Sequence, residues 1–346
     1  MADAMVPNIG LLWGLVLAAG DGRRMEGHIL GLKGKSLPKQ YVNFVGQRSM
    51  LEHTFQRVEK LIPADQILTV VSELHLTHNE VNSHIDDRPK ATIVVQPENK
   101  DTGPGILLPL MFLYKHCPEA IIAVFPSDHF ILEEERFMNY VRLATRAVAH
   151  NPTSIVLLAV EAYEPEVEYG YILPREEIDG AFGFGTRHVA GFVEKPCPHL
   201  ALELMLAGGL WNTMTMVFKL SRLLELVRGY YPELYRAFCE IYDAIGTPKE
   251  RSTIRKIYER LEPVNFSKGL LEKVVSRTPN SILVLPIRKV YWSDWGSAQR
   301  ITRVLDALYE PRGEGKLLRR QIGDIDETSP RKIATLSTNS TVVGQA

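Results

Sequence analysis

Residues 15–25 read "LVLAAGDGRRM". An apolar run, extended backwards by "LLWGLVLA" (11–18), ends at Ala18 and Ala19. Gly20 and Gly22 follow, then Arg23 and Arg24. A run that is apolar almost without interruption reads as a strand buried on both faces. A glycine turn with fixed positive charge at the carboxyl end of such a strand stands where the ligands of open α/β sheets bind. Exposed backbone N–H groups and guanidinium charge both suit phosphate.

The same grammar recurs along the chain. "QILTVV" (66–71), "ATIVVQ" (91–96), "AIIAVF" (120–125), "SIVLLAV" (154–160) and "SILVLPI" (281–287) are further buried strands. Between them lie helices with one apolar face, in one case Leu51, Phe55, Val58, Leu61 and Ile62, in another Phe137, Tyr140, Val141, Ala144 and Val148. Strand alternating with helix predicts an α/β fold, with a mixed, mostly parallel central sheet covered by helices on both faces. From about residue 165 the pattern loosens. "EYGYILP" and "HVAGFVEKP" read as strands outside the alternation, and helical segments run through roughly 198–209, 220–245 and 251–276. Residues 313–346 carry no apolar period and read as a flexible tail.

Composition excludes several roles. The net charge of -1 argues against a protein that lives on nucleic acid or on an anionic membrane. Cys117, Cys197 and Cys239 are odd in number and widely spaced, as expected of reduced thiols in a cytoplasmic protein. The only charge before Asp21 is Asp3, so "IGLLWGLVLAAG" lacks the positive flank of a secretory leader and reads as the first strand.

Two familiar phosphate loops fail on named residues. A dinucleotide fingerprint needs a third glycine where Met25 stands, and a P-loop ending in the "GKS" of 34–36 needs glycine where Ile29 stands. A third pattern fits. "AAGDGRRM" followed by "LPKQYV" (37–42) resembles the signature of the sugar-phosphate nucleotidyltransferases. Further blocks follow in that family's order: "QPENKDTGPGI" (96–106), "VFPSDHFI" (124–131), "YGYI" (169–172), "FVEKP" (192–196), "WNT" (211–213), "LLEK" (270–273) and "WSDWGS" (292–297). Together they look most like the mannose-1-phosphate guanylyltransferase branch.

The resemblance implies a Rossmann-like, GT-A-like nucleotidyltransferase fold over residues 8–312, with a nucleotide-binding part to about 165 and a sugar-phosphate part from about 166 to 300. It implies transfer of a nucleotidyl group from a nucleoside triphosphate to a sugar 1-phosphate, GTP and mannose 1-phosphate being the leading pair, with Mg2+ as cofactor. Arg24 and Lys39 match the residues that neutralise the departing pyrophosphate. Ala18, Ala19, Gly20 and Gly22 match the triphosphate turn, and Gln96 and Thr102 the base and ribose contacts. Asp128 and Asp294 match the metal-binding aspartates, although Asp128 read alone is a helix cap before "LEEE". Gly170, Glu194, Lys195, Asn212 and Glu272 match the sugar-phosphate pocket. A homodimer, another base or sugar, and a non-catalytic sensor all stay open. The chain stops short of the β-helix or cupin that many members carry, so a single activity is expected.

Four places depart from the family pattern. Ala19 replaces a glycine, and the stretch from Arg24 to Lys39, with "GHILGLKGKS", is longer than usual. Met214 stands where the family has glycine after W-N-S, and Ser267 where it has aspartate. The last two fall in the sugar pocket, so the reaction is better specified than the sugar.

Overall fold

A computed structural model describes residues 11–177, 183–278 and 280–309. The tail expected at 313–346 lies outside the described residues. In chain order the elements are β1 (Leu12–Leu17), α1 (Glu26–Lys33), α2 (Met50–Glu59), β2 (Ile67–Ser72), α3 (Asn79–Ile85), β3 (Ile93–Gln96), α4 (Thr102–Tyr114), β4 (Ile121–Pro126), β5 (Phe130–Ile131) and α5 (Glu134–His150). Then come β6 (Ile155–Glu161), β7 (Gly170–Glu177), β8 (Arg187–Glu194), α6 (Pro198–Leu206), β9 (Leu210–Lys219), α7 (Leu220–Tyr230), α8 (Pro232–Ala244), α9 (Glu250–Arg260), α10 (Glu272–Arg277), β10 (Ile282–Ile287), β11 (Trp292–Ser293) and α11 (Ala298–Tyr309).

Nine strands form one sheet in the order β3-β2-β1-β4-β9-β6-β10-β8-β7, with β7 also pairing β9. The six apolar runs all become strands of it. Successive side chains of a strand point to opposite faces, and here both faces are covered. Leu15, Ile122 and Val124 pack with α4, α7, α8 and α9 on one side. Val16, Ala123 and Phe125 pack with α2, α5 and α6 on the other.

The sheet is mixed and mostly parallel, as expected: seven of its nine strands run one way, and β8 and β9 run against them. β3, β2, β1 and β4 are parallel, as are β6 and β10. β9, however, runs antiparallel to both β4 and β6, and β7 and β8 are antiparallel to each other and to their neighbours. Parallel neighbours need helical crossovers, whereas β7 and β8 form a hairpin ladder and return their chain locally. The sheet is therefore parallel from β3 to β4 and mixed beyond β4.

Local chemistry sets several boundaries. Ser49 and Glu52 form a reciprocal capping box that starts α2. The segment expected to be helical over 220–245 breaks at Tyr231, because the residue before Pro232 is kept out of the helical region. The segment expected over 251–276 also breaks, into α9, a non-helical stretch at 261–265 that contains Pro263, a π-turn at Ser267–Leu271, and α10. No described helix is long and apolar enough to cross a membrane.

Candidate active site

At the carboxyl end of β1 lies a cleft of about 610 Å³. Ala19, Gly20, Gly22, Arg24, Lys39, Gln96, Thr102 and Asp128 all line it, so the glycine turn, the block expected to meet the base and one aspartate share one space. Gly22 has φ 63, which glycine adopts freely, and a Cβ there would come within 3.2 Å of the Lys39 backbone nitrogen. Ala18 is fully buried, and its carbonyl accepts hydrogen bonds from the Gln40 amide (2.9 Å) and the Tyr41 hydroxyl (3.0 Å). Gln40 also donates to the Gly20 carbonyl at 2.9 Å, which shapes the turn. Arg24 pairs with Glu168, both half-exposed. Such a pair is worth under about 1 kcal/mol, so the guanidinium is readily drawn to a stronger anion. The long stretch after Arg24 is mostly α1. Lys33 and Lys35 pair with Asn43 and Glu80 and do not line the cleft.

Lys39 is the hub of the site. Its Nζ lies 2.9 Å from Asp128 Oδ2 and donates to the Asp294 carbonyl at 2.8 Å. Asp128 follows β4 and Asp294 follows β11. The two-residue strands β5 and β11 pair Trp292 with Ile131 and Ser293 with Phe130, and this ribbon brings the distant aspartates together. The helix-cap alternative for Asp128 is not realised, since Glu133 holds that position for α5. Burial is the largest influence and would raise both carboxyls. Lys39 together with His129 outweighs it at Asp128, and Lys39, Arg300, the Gly296 N–H and His129 together outweigh it at Asp294, so each is held below the usual carboxylate range. His129 is buried with Nε2 3.6 Å from Asp128 Oδ1. The Trp292 indole donates to its Nδ1 at 3.2 Å, so a neutral ring carries its proton on Nε2. Burial lowers the pKa of this ring to about 4.

The five expected sugar-phosphate residues lie outside that cleft's lining and gather along β7, β8, β9 and α10. A Cβ at Gly170 would sit 2.6 Å from Glu194 Oε2 and 3.4 Å from the Asn212 Cβ, so these three converge. The Glu194 N–H donates to Glu272 Oε1 at 2.7 Å. Burial raises the Glu194 carboxyl; Lys195 opposes the rise, while Glu272 and Asp101 add to it. Lys195 donates its N–H to the Tyr169 carbonyl (3.2 Å), and the Tyr169 hydroxyl donates to Asp294 Oδ1 (3.0 Å). One tyrosine thus links the expected sugar-phosphate cluster to the aspartates.

A family model described as nucleotidyl transferase matches residues 13–310. The chain belongs to the nucleotidyl transferase family. The alginate biosynthesis protein AlgA of Pseudomonas fluorescens is 30% identical over 288 residues, covering 82% of this chain and 56% of the relative. Mannose-1-phosphate guanylyltransferase 2 of Escherichia coli O157:H7 is 27% identical over 303 residues, covering 83% and 58%. The chain spans little more than half the length of these curated relatives. The solved structure of a mannose-1-phosphate geranyltransferase from Thermus thermophilus matches with TM-score 0.71 and 25% identity, covering 88% of this chain and 81% of that one.

Met214 and Ser267, the two departures expected to fall in a sugar pocket, touch each other. Ser267 Oγ donates to Met214 Sδ at 3.0 Å. Thr102 lines the cleft, yet its hydroxyl is engaged twice, donating to Asp101 (3.1 Å) and accepting from the Phe266 N–H (2.8 Å). Sequence reasoning missed Gln40, His129, Tyr169 and Arg300. The first three neighbour or belong to quoted motifs and were legible as candidates; Arg300, six residues after Asp294 on α11, gave no signal.

Proposed function

We propose that this chain transfers a nucleotidyl group to a sugar 1-phosphate, GTP and mannose 1-phosphate being the leading pair. The observation that carries the reading is Lys39 bridging Asp128 and Asp294 at the end of a cleft lined by the glycine turn. A phosphate oxygen of the sugar would attack the α-phosphorus, the bond to the β-phosphate oxygen would break, and pyrophosphate would leave with its negative charge. No covalent enzyme intermediate is needed, so positioning and charge neutralisation supply the catalysis. Turn N–H groups would hold the triphosphate, Arg24 would leave Glu168 for the departing pyrophosphate, and Lys39 would exchange its aspartates for phosphate oxygens. Lys195 would hold the sugar phosphate, with Glu194, Asn212 and Glu272 accepting from or donating to its hydroxyls. Among the described residues Gln96 Oε1 is buried without a hydrogen-bond partner, which fits an acceptor for the N–H edge of a base such as guanine.

Mg2+ fits the donor set. Among the described residues no cluster of three or more potential ligands exists, but Asp128 and Asp294 offer carboxylate oxygens within one site, and a hard cation that keeps water and phosphate ligands needs little more. Bound there, it would neutralise charge on the phosphate oxygens. The free cysteines and the nucleotide substrate fit a cytoplasmic setting.

One observation favours a second reading, the same reaction with another sugar. Met214 and Ser267 present a thioether and an engaged hydroxyl beside Asn212. The test is pyrophosphate release with Mg2+, crossing the four ribonucleoside triphosphates and dTTP with a panel of sugar 1-phosphates. GTP with mannose 1-phosphate is expected to give the fastest release. Another pair would preserve the reaction and change the sugar or base; silence from folded, nucleotide-binding protein would overturn the enzyme.

A further inference from the structure

Asp294 is held in an unequal way. Its Oδ1 accepts three hydrogen bonds, from Arg300 Nη1 (2.7 Å), the Gly296 N–H (2.9 Å) and the Tyr169 hydroxyl (3.0 Å). Among the described residues Oδ2 accepts none, and the space beside it is the space a Gly296 side chain would fill, 2.6 Å away. Gly296 itself lines the cleft. Arg300 is fixed in turn: Nη2 lies 2.6 Å from Glu166 Oε2, and the guanidinium sits 4.5 Å over the Tyr169 ring. The Arg300, Asp294 and Glu166 side chains are each less than a fifth exposed.

We propose that Arg300 is a positioning residue that saturates one oxygen of Asp294 and so presents Oδ2 to the divalent cation accompanying the triphosphate. This rests on the nucleotidyltransferase reading above. As a bare charge, a guanidinium this close would repel a cation. Glu166 cancels that charge, so what the pair contributes is the orientation of Asp294. Because the same guanidinium covers Tyr169, whose carbonyl holds Lys195, the cation site and the sugar-phosphate cluster share one support.

The sign of the repulsion makes the test decisive. Mn2+ binding is measured by electron paramagnetic resonance in the presence of a non-hydrolysable analogue of whichever triphosphate supports turnover. The variants are Arg300→Met, the charge-neutral pair Arg300→Met/Glu166→Met, and Arg300→Lys, with thermal melting as the check on folding. Positioning predicts that the neutral pair weakens Mn2+ by about tenfold or more, as loss of a ligand's supporting partner does, while affinity for the analogue without metal is unchanged. Arg300→Lys should recover part of the loss. Tighter Mn2+ binding in Arg300→Met together with wild-type binding in the neutral pair would overturn the proposal, because charge alone would then explain the residue. If the Arg300 variants do not fold, Tyr169→Phe removes another donor to the same oxygen and must weaken Mn2+ by a smaller factor; unchanged binding would overturn the proposal equally. Wild-type protein that binds no Mn2+ beside the analogue would instead remove the underlying reaction.

Discussion

Met214 holds φ 55 within an irregular stretch of β9, where the register to β6 shifts between Leu157 and Ala159. A bulge re-aims the side chain it carries, and this one is aimed at Ser267. A left-handed backbone costs an ordinary residue about 1–2 kcal/mol, which glycine avoids. Met214→Gly would recover that cost but strand the Ser267 hydroxyl, which is 2% exposed, at a loss of about 1–3 kcal/mol. Met214 also packs against the core, and losing those contacts adds a further cost, so the urea midpoint of Met214→Gly should fall below that of wild type. Adding Ser267→Ala to the glycine variant should raise stability, a coupling read from the double-mutant cycle. The sugar profile should change while the KM for triphosphate holds; an unaltered profile would remove Met214 from the pocket. Asp128 tests the reaction itself. Asp128→Asn keeps shape and removes the charge paired to Lys39, and should slow turnover roughly a hundredfold or more with little effect on sugar-phosphate affinity. Wild-type turnover in that variant would refute the metal assignment.

Element by element, legibility followed apolar continuity. Strands such as "AIIAVF" and "SIVLLAV" needed no help, because both faces of the sheet are covered and their apolar run is almost unbroken. β9 was invisible, although it stands at the centre of the sheet. Asn212, Thr213 and Thr215 interrupt its apolar run, and only the structure shows these polar side chains buried, Thr213 donating its hydroxyl to the Leu158 carbonyl at 2.7 Å. The β5–β11 ribbon is two residues long on each side, below any periodicity, yet it is what unites Asp128 with Asp294. The motif residues were therefore readable, as was the placement of both aspartates at the sheet edge behind predicted strands; the ribbon that joins them was not. The stretch at 261–266 shows the same limit. Its backbone is sewn to the start of α4, the Val264 N–H donating to Lys100 (3.1 Å) and the Gly103 N–H to Val264 (2.8 Å). Tertiary hydrogen bonds of this kind override helical propensity. Thr102→Val would delete the hydroxyl bonds to Asp101 and Phe266 without changing side-chain size. We expect a loss of about 1–2 kcal/mol in urea unfolding and higher KM values for both substrates, since the stretch leads directly into Ser267 and Glu272. A rise confined to the triphosphate KM would mean that Thr102 contacts nucleotide alone.

For the whole molecule, the sheet carries a core on each face, and the site sits where the parallel half meets the mixed half. That position buries ionisable groups and makes global stability depend on pH. In an unfolded chain the imidazole of His129 takes up a proton near pH 6.5; in the fold, burial chiefly holds its pKa at about 4, against the opposing pull of Asp128 and Asp294. Between those values the unfolded form binds a proton that the native form refuses, so stability rises with pH across this window. The contribution is fully present above pH 6.5 and is lost progressively as pH falls to about 4, by roughly 3 kcal/mol at most. His53 and His75, also lowered chiefly by burial, act in the same direction. Asp128 and Asp294, held below their usual range, lose their contribution only at lower pH, as the fall passes through the carboxylate values. Comparison with His129→Gln isolates the single ring. Urea unfolding with EDTA present, at pH 7.5, 6.0 and 4.5, should show wild type losing more stability over that range than the variant. Parallel pH profiles would mean that His129 enters the folded protein already able to take up its proton.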